Sequence, residues 1–269
     1  MCEVCEEEPL NDIIRTMKNK LKILSLQFEA VDDKDKNLKK AAKMLDENSD
    51  FEPDIVVLPE LWNVGIFYDK FQKGAEFLPD ETTMLLSGLA EGYNTNIIGG
   101  SIVEKTHDGK FYNTSVVFDK LGAIIAKYRK THLFSHCGSL ENKYLSAGDD
   151  ICTFDLEGIK FGLGICYDIR FPELFRKMVK EGVMLFVVPA AFPQERIEQW
   201  NLLNQARALE NLAVLISCNQ YGASNTISPY GKILKTSSAG EVALKNIIDI
   251  EEIFNARNST PFLNDMKEL

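Results

Sequence analysis

Cysteine, histidine and tryptophan are scarce in this chain, at six, three and two of 269 residues. Six cysteines are too few for a disulfide scaffold. Cys2, Cys5, Cys137, Cys152 and Cys218 fall into no framework spacing. Cys2-Glu-Val-Cys5 is a lone C-x-x-C, and one such pair cannot complete a zinc site, so it reads as two incidental thiols and no metal centre is expected. Long apolar runs are missing too. Stretches such as Leu185–Val188 are strand-sized, far below the ~18 residues of a membrane span. There is no G-x-G-x-x-G, no G-x-x-x-x-G-K-[ST] and no H-E-x-x-H, and Gly162-x-Gly164 lies inside a strand pattern. Positive charge is in deficit: 30 Lys and Arg stand against 40 Asp and Glu, a net charge of −10. Such a surface repels phosphate backbones and anionic lipids, so no nucleic-acid or membrane partner is expected. Glu3, Glu6, Glu7 and Glu8 occupy the place where a secretory signal carries positive charge. The expectation is a reduced, soluble, cytoplasmic protein.

What is present is an ordinary globular balance, 45% hydrophobic and 26% charged. A chain of this length buries roughly three quarters of its unfolded surface and needs no staple. Residues 1–20 read as an acidic tail and 21–269 as one domain. Lys22–Gln27, Asp54–Leu58, Asn96–Val103, Asn113–Phe118, Ala123–Tyr128, Phe161–Ile165, Met184–Val188 and Ala213–Cys218 read as strands, the last but one stopping at Pro189. Ile233–Leu234 and Val242–Ile250 are expected to close the sheet. Helices are expected behind Asp32 and Asp33, around Met84–Ala90, between Pro172 and Gly182, and over Arg196–Asn211. Alternating strands and helices with hairpin-like pairs in the middle mean α/β with mixed sheets.

Functional groups of α/β sheets gather beyond the carboxyl ends of strands. Three such ends carry Glu60, Lys130 and Cys166: a carboxylate, an amine and a thiol, enough for covalent acyl chemistry. Each also has a plain reading, as a solvated loop carboxylate, a surface lysine and a small core hydrophobe. Cys166 stands out because Gly164-Ile-Cys166-Tyr-Asp168 is a strand-to-helix turn that exposes a side chain as a nucleophile elbow does, with the Tyr167 N–H positioned to face an oxyanion. A Cys–His dyad must draw on His107, His132 or His136. His107 falls in a turn, and His132 is expected to pack beneath Lys130. Arg170 with Glu173, and Arg207 with Glu210, read as structural ion pairs.

Leu58-Pro-Glu60-Leu-Trp62, Tyr128-Arg-Lys130-Thr-His132-Leu133 and Ile165-Cys166-Tyr-Asp168-Ile-Arg170-Phe-Pro-Glu173-Leu174 resemble the three signatures of the nitrilase superfamily of carbon–nitrogen hydrolases. The resemblance runs from about Lys22 to Ile250, through Gln205–Asn211, Gly222-Ala-Ser224 and Pro229-Tyr-Gly231. It implies a four-layer αββα sandwich, a homodimer or higher homo-oligomer packed through the helices at Arg170–Lys180 and Arg196–Asn211, and no cofactor. It also implies that Cys166 is the nucleophile, Glu60 the general base, Lys130 the stabiliser of thiolate and oxyanion, and Glu141, seven residues before Gly148, the second glutamate.

Cys166-Tyr-Asp-x-Arg-Phe-Pro-Glu is similar to the omega-amidase-like branch, whose substrates are small linear amides such as 2-oxoglutaramate. Tyr167, Trp62, Phe134 and Phe192 sit just beyond the strand-end rim and are expected to wall the substrate pocket. The Tyr221–Asn225 loop is shorter than is usual in that branch, which should open the pocket somewhat. Alternatives are an N-carbamoyl amidohydrolase or nitrilase on the same residues, an acyltransferase, or a catalytically silent binding protein.

Overall fold

In the computed structural model, which describes residues 18–267, the strand β1 (Lys20–Gln27) is apolar on both faces. Leu21 and Ile23 join one hydrophobic cluster, and Leu24 and Leu26 join another. A strand covered on both faces must lie between two layers, and this determines the architecture. The acidic segment carrying Cys2 and Cys5 lies outside the described residues.

The first sheet combines β1 with β2 (Ile55–Val57), β3 (Asn96–Ile98), β4 (Ile102–Lys105), β5 (Phe111–Phe118), β6 (Ile124–Arg129) and β13 (Val242–Asp249). Its order is β13-β1-β2-β3-β5-β4, with β6 also paired to β5. The second sheet holds β7 (Cys152–Leu156), β8 (Ile159–Leu163), β9 (Leu185–Ala190), β10 (Val214–Asn219), β11 (Asn225–Ile227) and β12 (Ile233–Thr236), in the order β12-β11-β10-β9-β8-β7. Both sheets are mixed: β1, β2 and β3 run parallel in one, β8, β9 and β10 in the other, and antiparallel strands flank them.

Helices α1 (Lys34–Asp46) and α3 (Glu81–Tyr93) cover the outer face of the first sheet. Leu38, Ala41 and Leu45 of α1 and Leu86 and Ala90 of α3 meet Leu24, Leu26 and Val56 there. Asp33 caps α1 by accepting from Lys36 N, as its place in the sequence predicts. Helices α5 (Pro172–Lys180), α6 (Ile197–Leu209) and α7 (Glu251–Ser259) belong to the other outer layer. There Phe175, Met178, Trp200, Ala208 and Ile253 join the cluster of the second sheet. Two short helices, α2 (Phe71–Gly74) and α4 (Glu141–Tyr144), lie in loops. The result is the expected helix–sheet–sheet–helix sandwich. Each fully buried Leu, Ile, Val or Phe in it contributes roughly 1.5–3 kcal/mol of burial free energy. None of the helices among the described residues is long and apolar enough to cross a membrane.

Several elements differ from the sequence expectation, each for a physical reason. Asn96–Val103 is two strands, because Gly99 and Gly100 kink the chain where Gly100 adopts φ +62° and passes under Pro59. β7 was not expected; it forms a hairpin with β8 through Glu157 and Gly158, both at positive φ. β9 runs on through Pro189, which pairs with Cys218. The pairing of β8 with β9 has already ended at Leu163 and Val187, so no ladder bond is required of the proline nitrogen on that side. Val242–Asp249 and Ile233–Thr236 do not close one sheet; they are edge strands of different sheets.

Candidate active site

Glu60 lies three residues beyond β2, Lys130 directly follows β6, Cys166 lies three residues beyond β8, and Glu141 opens α4. The first two come from one sheet and Cys166 from the other, so they meet only because the sheets stack with these strand ends together. Hydrogen bonds at the Glu60 backbone pin that seam. Glu60 N donates to Ala190 O at 3.4 Å, and Gln220 Nε2 donates to Glu60 O at 2.7 Å.

The four residues form one buried cluster. Lys130 Nζ donates to Glu60 Oε1 at 2.8 Å and lies 2.9 Å from both oxygens of Glu141. Lys130 is 1%, Glu60 2% and Glu141 4% exposed. The remaining carboxylate sites are also occupied. Ala191 N donates to Glu60 Oε2 at 2.9 Å, Phe134 N to Glu141 Oε2 at 2.5 Å, and Asn113 Nδ2 to Glu60 Oε1 at 2.9 Å and Glu141 Oε1 at 3.2 Å. Asn113, on β5, is a member of the site that strand patterning did not reveal; its only sequence signal is that it opens a polar run, Asn113-Thr-Ser115, inside a strand that is otherwise apolar or aromatic. Its carbonyl also accepts from Lys130 N at 2.9 Å.

One ammonium between two carboxylates leaves the buried cluster one negative charge in excess. Burial pulls the Lys130 ammonium down, but the charges of Glu141 and Glu60 carry its pKa well above the usual lysine value. Burial pushes the Glu141 carboxyl up against the pull of Lys130. Burial and then the Glu60 charge hold the Cys166 thiol well above the ordinary thiol value, against the pull of Lys130. Both influences favour the neutral thiol over the thiolate in the resting site.

Cys166 sits on a sharp turn at φ +47°, a conformation that costs a non-glycine residue of order 1–3 kcal/mol and persists only where its surroundings impose it. The surroundings here centre on Asp168, which is fully buried. Its carboxylate accepts from Ile165 N at 2.8 Å, Tyr128 Oη at 2.8 Å, His132 N at 3.0 Å and Thr131 Oγ1 at 3.1 Å, and meets His132 Nδ1 at 2.8 Å. His132 is occupied by this contact and stacks on Phe171 at 3.6 Å. Its bonds are with the turn rather than the thiol, and this argues against the dyad.

A cavity of about 340 Å³ opens over Cys166. Tyr167, Phe134 and Phe192 line it as the sequence predicts, joined by Tyr68, Arg170, Arg196 and Tyr221. Trp62 does not line it. Leu61 adopts φ +47°, and Trp62 is buried in the outer core, its Nε1 donating to Gly99 O at 2.8 Å and its ring meeting Phe28 edge-on. Arg170 donates to Gln199 Oε1 at 2.9 Å rather than pairing with Glu173. Arg207 pairs with Glu210 as expected and donates to Ile169 O at 2.8 Å. The short loop is a tight turn, with Gly222 and Ala223 at positive φ and Ala223 O accepting from Trp200 Nε1 at 2.9 Å. It seats Tyr221 in the cavity wall, where burial pushes the phenol up to about 12.

The carbon–nitrogen hydrolase family profile matches residues 22–254. Omega-amidase NIT2-B of Xenopus laevis is 34% identical over 93% of this chain and 96% of its own length. The 2-oxoglutaramate amidase of Bacillus subtilis is 35% identical over 91% of this chain and 97% of its own. The crystal structure of Saccharomyces cerevisiae Nit3, a member of branch 10 of the nitrilase superfamily, superposes with a TM-score of 0.84 at 32% identity, covering 91% of this chain and 96% of that one. Sequence match, relatives and fold agree over nearly the whole described chain, which therefore belongs to the carbon–nitrogen hydrolase family and is an enzyme of that class.

Proposed function

We propose that this enzyme hydrolyses short linear ω-amides carrying a free carboxylate, 2-oxoglutaramate among them, through a thioester on Cys166, with release of ammonia. The observation that carries the reading is the division of labour at the cavity floor. Cys166 lines the cavity, while Glu60 and Lys130, hydrogen-bonded to one another, lie buried beside it. Relatives named omega-amidase and 2-oxoglutaramate amidase support the substrate class.

The chemistry follows from the charge balance. An amide is a poor electrophile with a poor leaving group, and a covalent intermediate divides the task in two. Glu60 takes the thiol proton, the negative charge passes to the sulfur beside the Lys130 ammonium, and the sulfur attacks the amide carbon. The oxyanion is met by the Lys130 ammonium and the Tyr167 N–H. The tetrahedral species collapses with cleavage of the C–N bond, and Glu60 delivers its proton to the departing nitrogen, which leaves as ammonia. Water then attacks the thioester and gives a proton to Glu60. The C–S bond breaks, the acid leaves, and the sulfur recovers its proton. Glu141 holds Lys130 in place throughout. Tyr167, Phe134 and Phe192 wall the substrate chain, and Tyr221 on the shortened loop lines the same cavity.

The catalytic domain reaches back past residue 21, since Lys20 opens β1 and Asn19 O accepts from Ile250 N at 3.0 Å. The enzyme works in the cytoplasm as a homodimer or higher homo-oligomer. Leu202 and Leu209, 68% and 49% exposed on α6, form the apolar stripe for self-association, whereas Trp200 faces the chain's own core.

The test is ammonia release from 2-oxoglutaramate, glutamine, an N-carbamoyl amino acid and an aliphatic nitrile, run beside Cys166→Ala. The expected result is highest kcat/KM on 2-oxoglutaramate, none in the variant, and a trapped acyl mass in the wild type alone. A nitrile or carbamoyl compound ahead by tenfold, about 1.4 kcal/mol in transition-state binding, would overturn the substrate class.

A further inference from the structure

Seven arginines occur in the sequence, and six of them, all but Arg15, lie among the described residues. Five of these six donate to a protein oxygen. Arg129 binds Glu104, Arg170 binds Gln199, Arg176 binds Glu210 O, Arg207 binds Ile169 O, and Arg257 binds Leu212 O and Val183 O. Arg196 is different. Among the described residues no oxygen accepts from its guanidinium, which lies over two aromatic rings instead, 5.0 Å from the centroid of Phe134 and 5.5 Å from that of Phe192. Arg196, Phe134 and Phe192 all line the cavity that contains Cys166.

Aromatic faces attract a cation but accept none of its hydrogen bonds in the plane of the guanidinium. The two rings therefore orient Arg196 while leaving its N–H donors unused. A planar fork of donors held over apolar walls matches a carboxylate, which it binds through two parallel charge-assisted bonds. We infer that Arg196 is the carboxylate anchor of this cavity, and that it makes the enzyme select anionic amides over neutral amides and over zwitterionic ones, whose α-ammonium would be brought beside the guanidinium. Arg170, whose Nη2 donates to Gln199 Oε1 and which also lies 5.7 Å from the Phe192 centroid, is a second positive charge on the same wall. The inference rests on the proposed amidase reading for its substrate, but not for its ligand chemistry.

Two measurements on the full chain test it. The first is the ratio of kcat/KM for 2-oxoglutaramate to that for pentanamide, in wild type, Arg196→Met and Arg196→Lys. Methionine keeps the apolar stem and loses the fork. The ratio should fall at least ~10-fold in Arg196→Met, as the loss of charge-assisted hydrogen bonds implies, with Arg196→Lys between. The second is calorimetric binding of 2-oxoglutarate to Cys166→Ala with and without Arg196→Met, which requires no turnover. Its Kd should weaken at least ~10-fold in the double variant. A smaller change in Kd overturns the anchor. If the wild type cleaves neither amide but the Kd behaves as stated, the amidase reading falls and the carboxylate site stands.

Discussion

The Tyr128 hydroxyl donates to a carboxylate oxygen of Asp168 at 2.8 Å. Tyr128 is two residues before Lys130, and Asp168 is two residues after Cys166. That bond, with those from Thr131 and His132 to the other oxygen, ties the strand end that delivers the amine to the turn that delivers the thiol. Asp168→Asn keeps the shape but replaces one acceptor oxygen by an NH₂, which then faces donors. The expected outcome is a loss of about 1–3 kcal/mol in unfolding free energy, read by denaturant titration. A fall in kcat larger than the change in KM should accompany it, because the amine–thiol spacing matters to the transition state. A stable variant with wild-type kcat would show that the turn holds its position without the carboxylate.

Lys130→Met should leave two buried carboxylates facing each other without their ammonium. Breaking a buried ion pair from one side costs about 3–5 kcal/mol. The loss of oxyanion stabilisation alone should lower kcat by at least ~10². Thermal unfolding and steady-state ammonia release check the two effects separately. A variant within a few-fold of wild type in kcat would remove Lys130 from the chemistry.

The pKa of Cys166 lies above the ordinary thiol value because of burial and then the Glu60 charge. Below that pKa the thiolate fraction rises tenfold for each unit of pH, and only the thiolate alkylates. Alkylation of Cys166 by iodoacetamide, followed by mass spectrometry of its peptide, should therefore rise with unit slope from about pH 7 to about pH 9 without a plateau. A rate independent of pH in that window would mean a preformed thiolate.

Gly100 adopts φ +62°, and a Cβ built there would stand 2.0 Å from Pro59 O and 2.8 Å from the Leu58 carbonyl. The next residue after Pro59 is Glu60. Gly100→Ala should destabilise the fold by about 1–3 kcal/mol from the backbone conformation alone, lowering Tm by several degrees, and should reduce kcat by displacing Glu60. An unchanged Tm would show that the Leu58–Pro59 segment yields freely.

Sequence alone determined the local features. A short apolar run bounded by turn signals reads as a buried strand, so β2 and β10 were legible within one or two residues. An aspartate ahead of an amphipathic run caps it, and α1 begins as Asp33 predicts. Proline starts and glycine follows α5, because each residue's backbone preference acts locally. The reactive residues were legible because three strand ends carry a carboxylate, an amine and a thiol. Tertiary structure decided what these groups meet. Glu60 and Cys166 come from different sheets and converge only through sheet stacking. Glu141, in an irregular stretch that locally reads as surface, becomes 4% exposed when Lys130 and Asn113 close on it. Trp62, two residues from Glu60, turned into the outer core instead of the cavity, with Leu61 at φ +47° between them. β12 and β13, which read as closing one sheet, went to opposite sheets because edge pairing depends on which partners are free. Arg196 became a cavity residue through its seat over two aromatic rings, one from Phe134, distant in the chain, and one from its near neighbour Phe192. Apolarity and backbone preference belong to each residue and its near neighbours, whereas burial, charge pairing and cavity walls depend on residues far away in the chain.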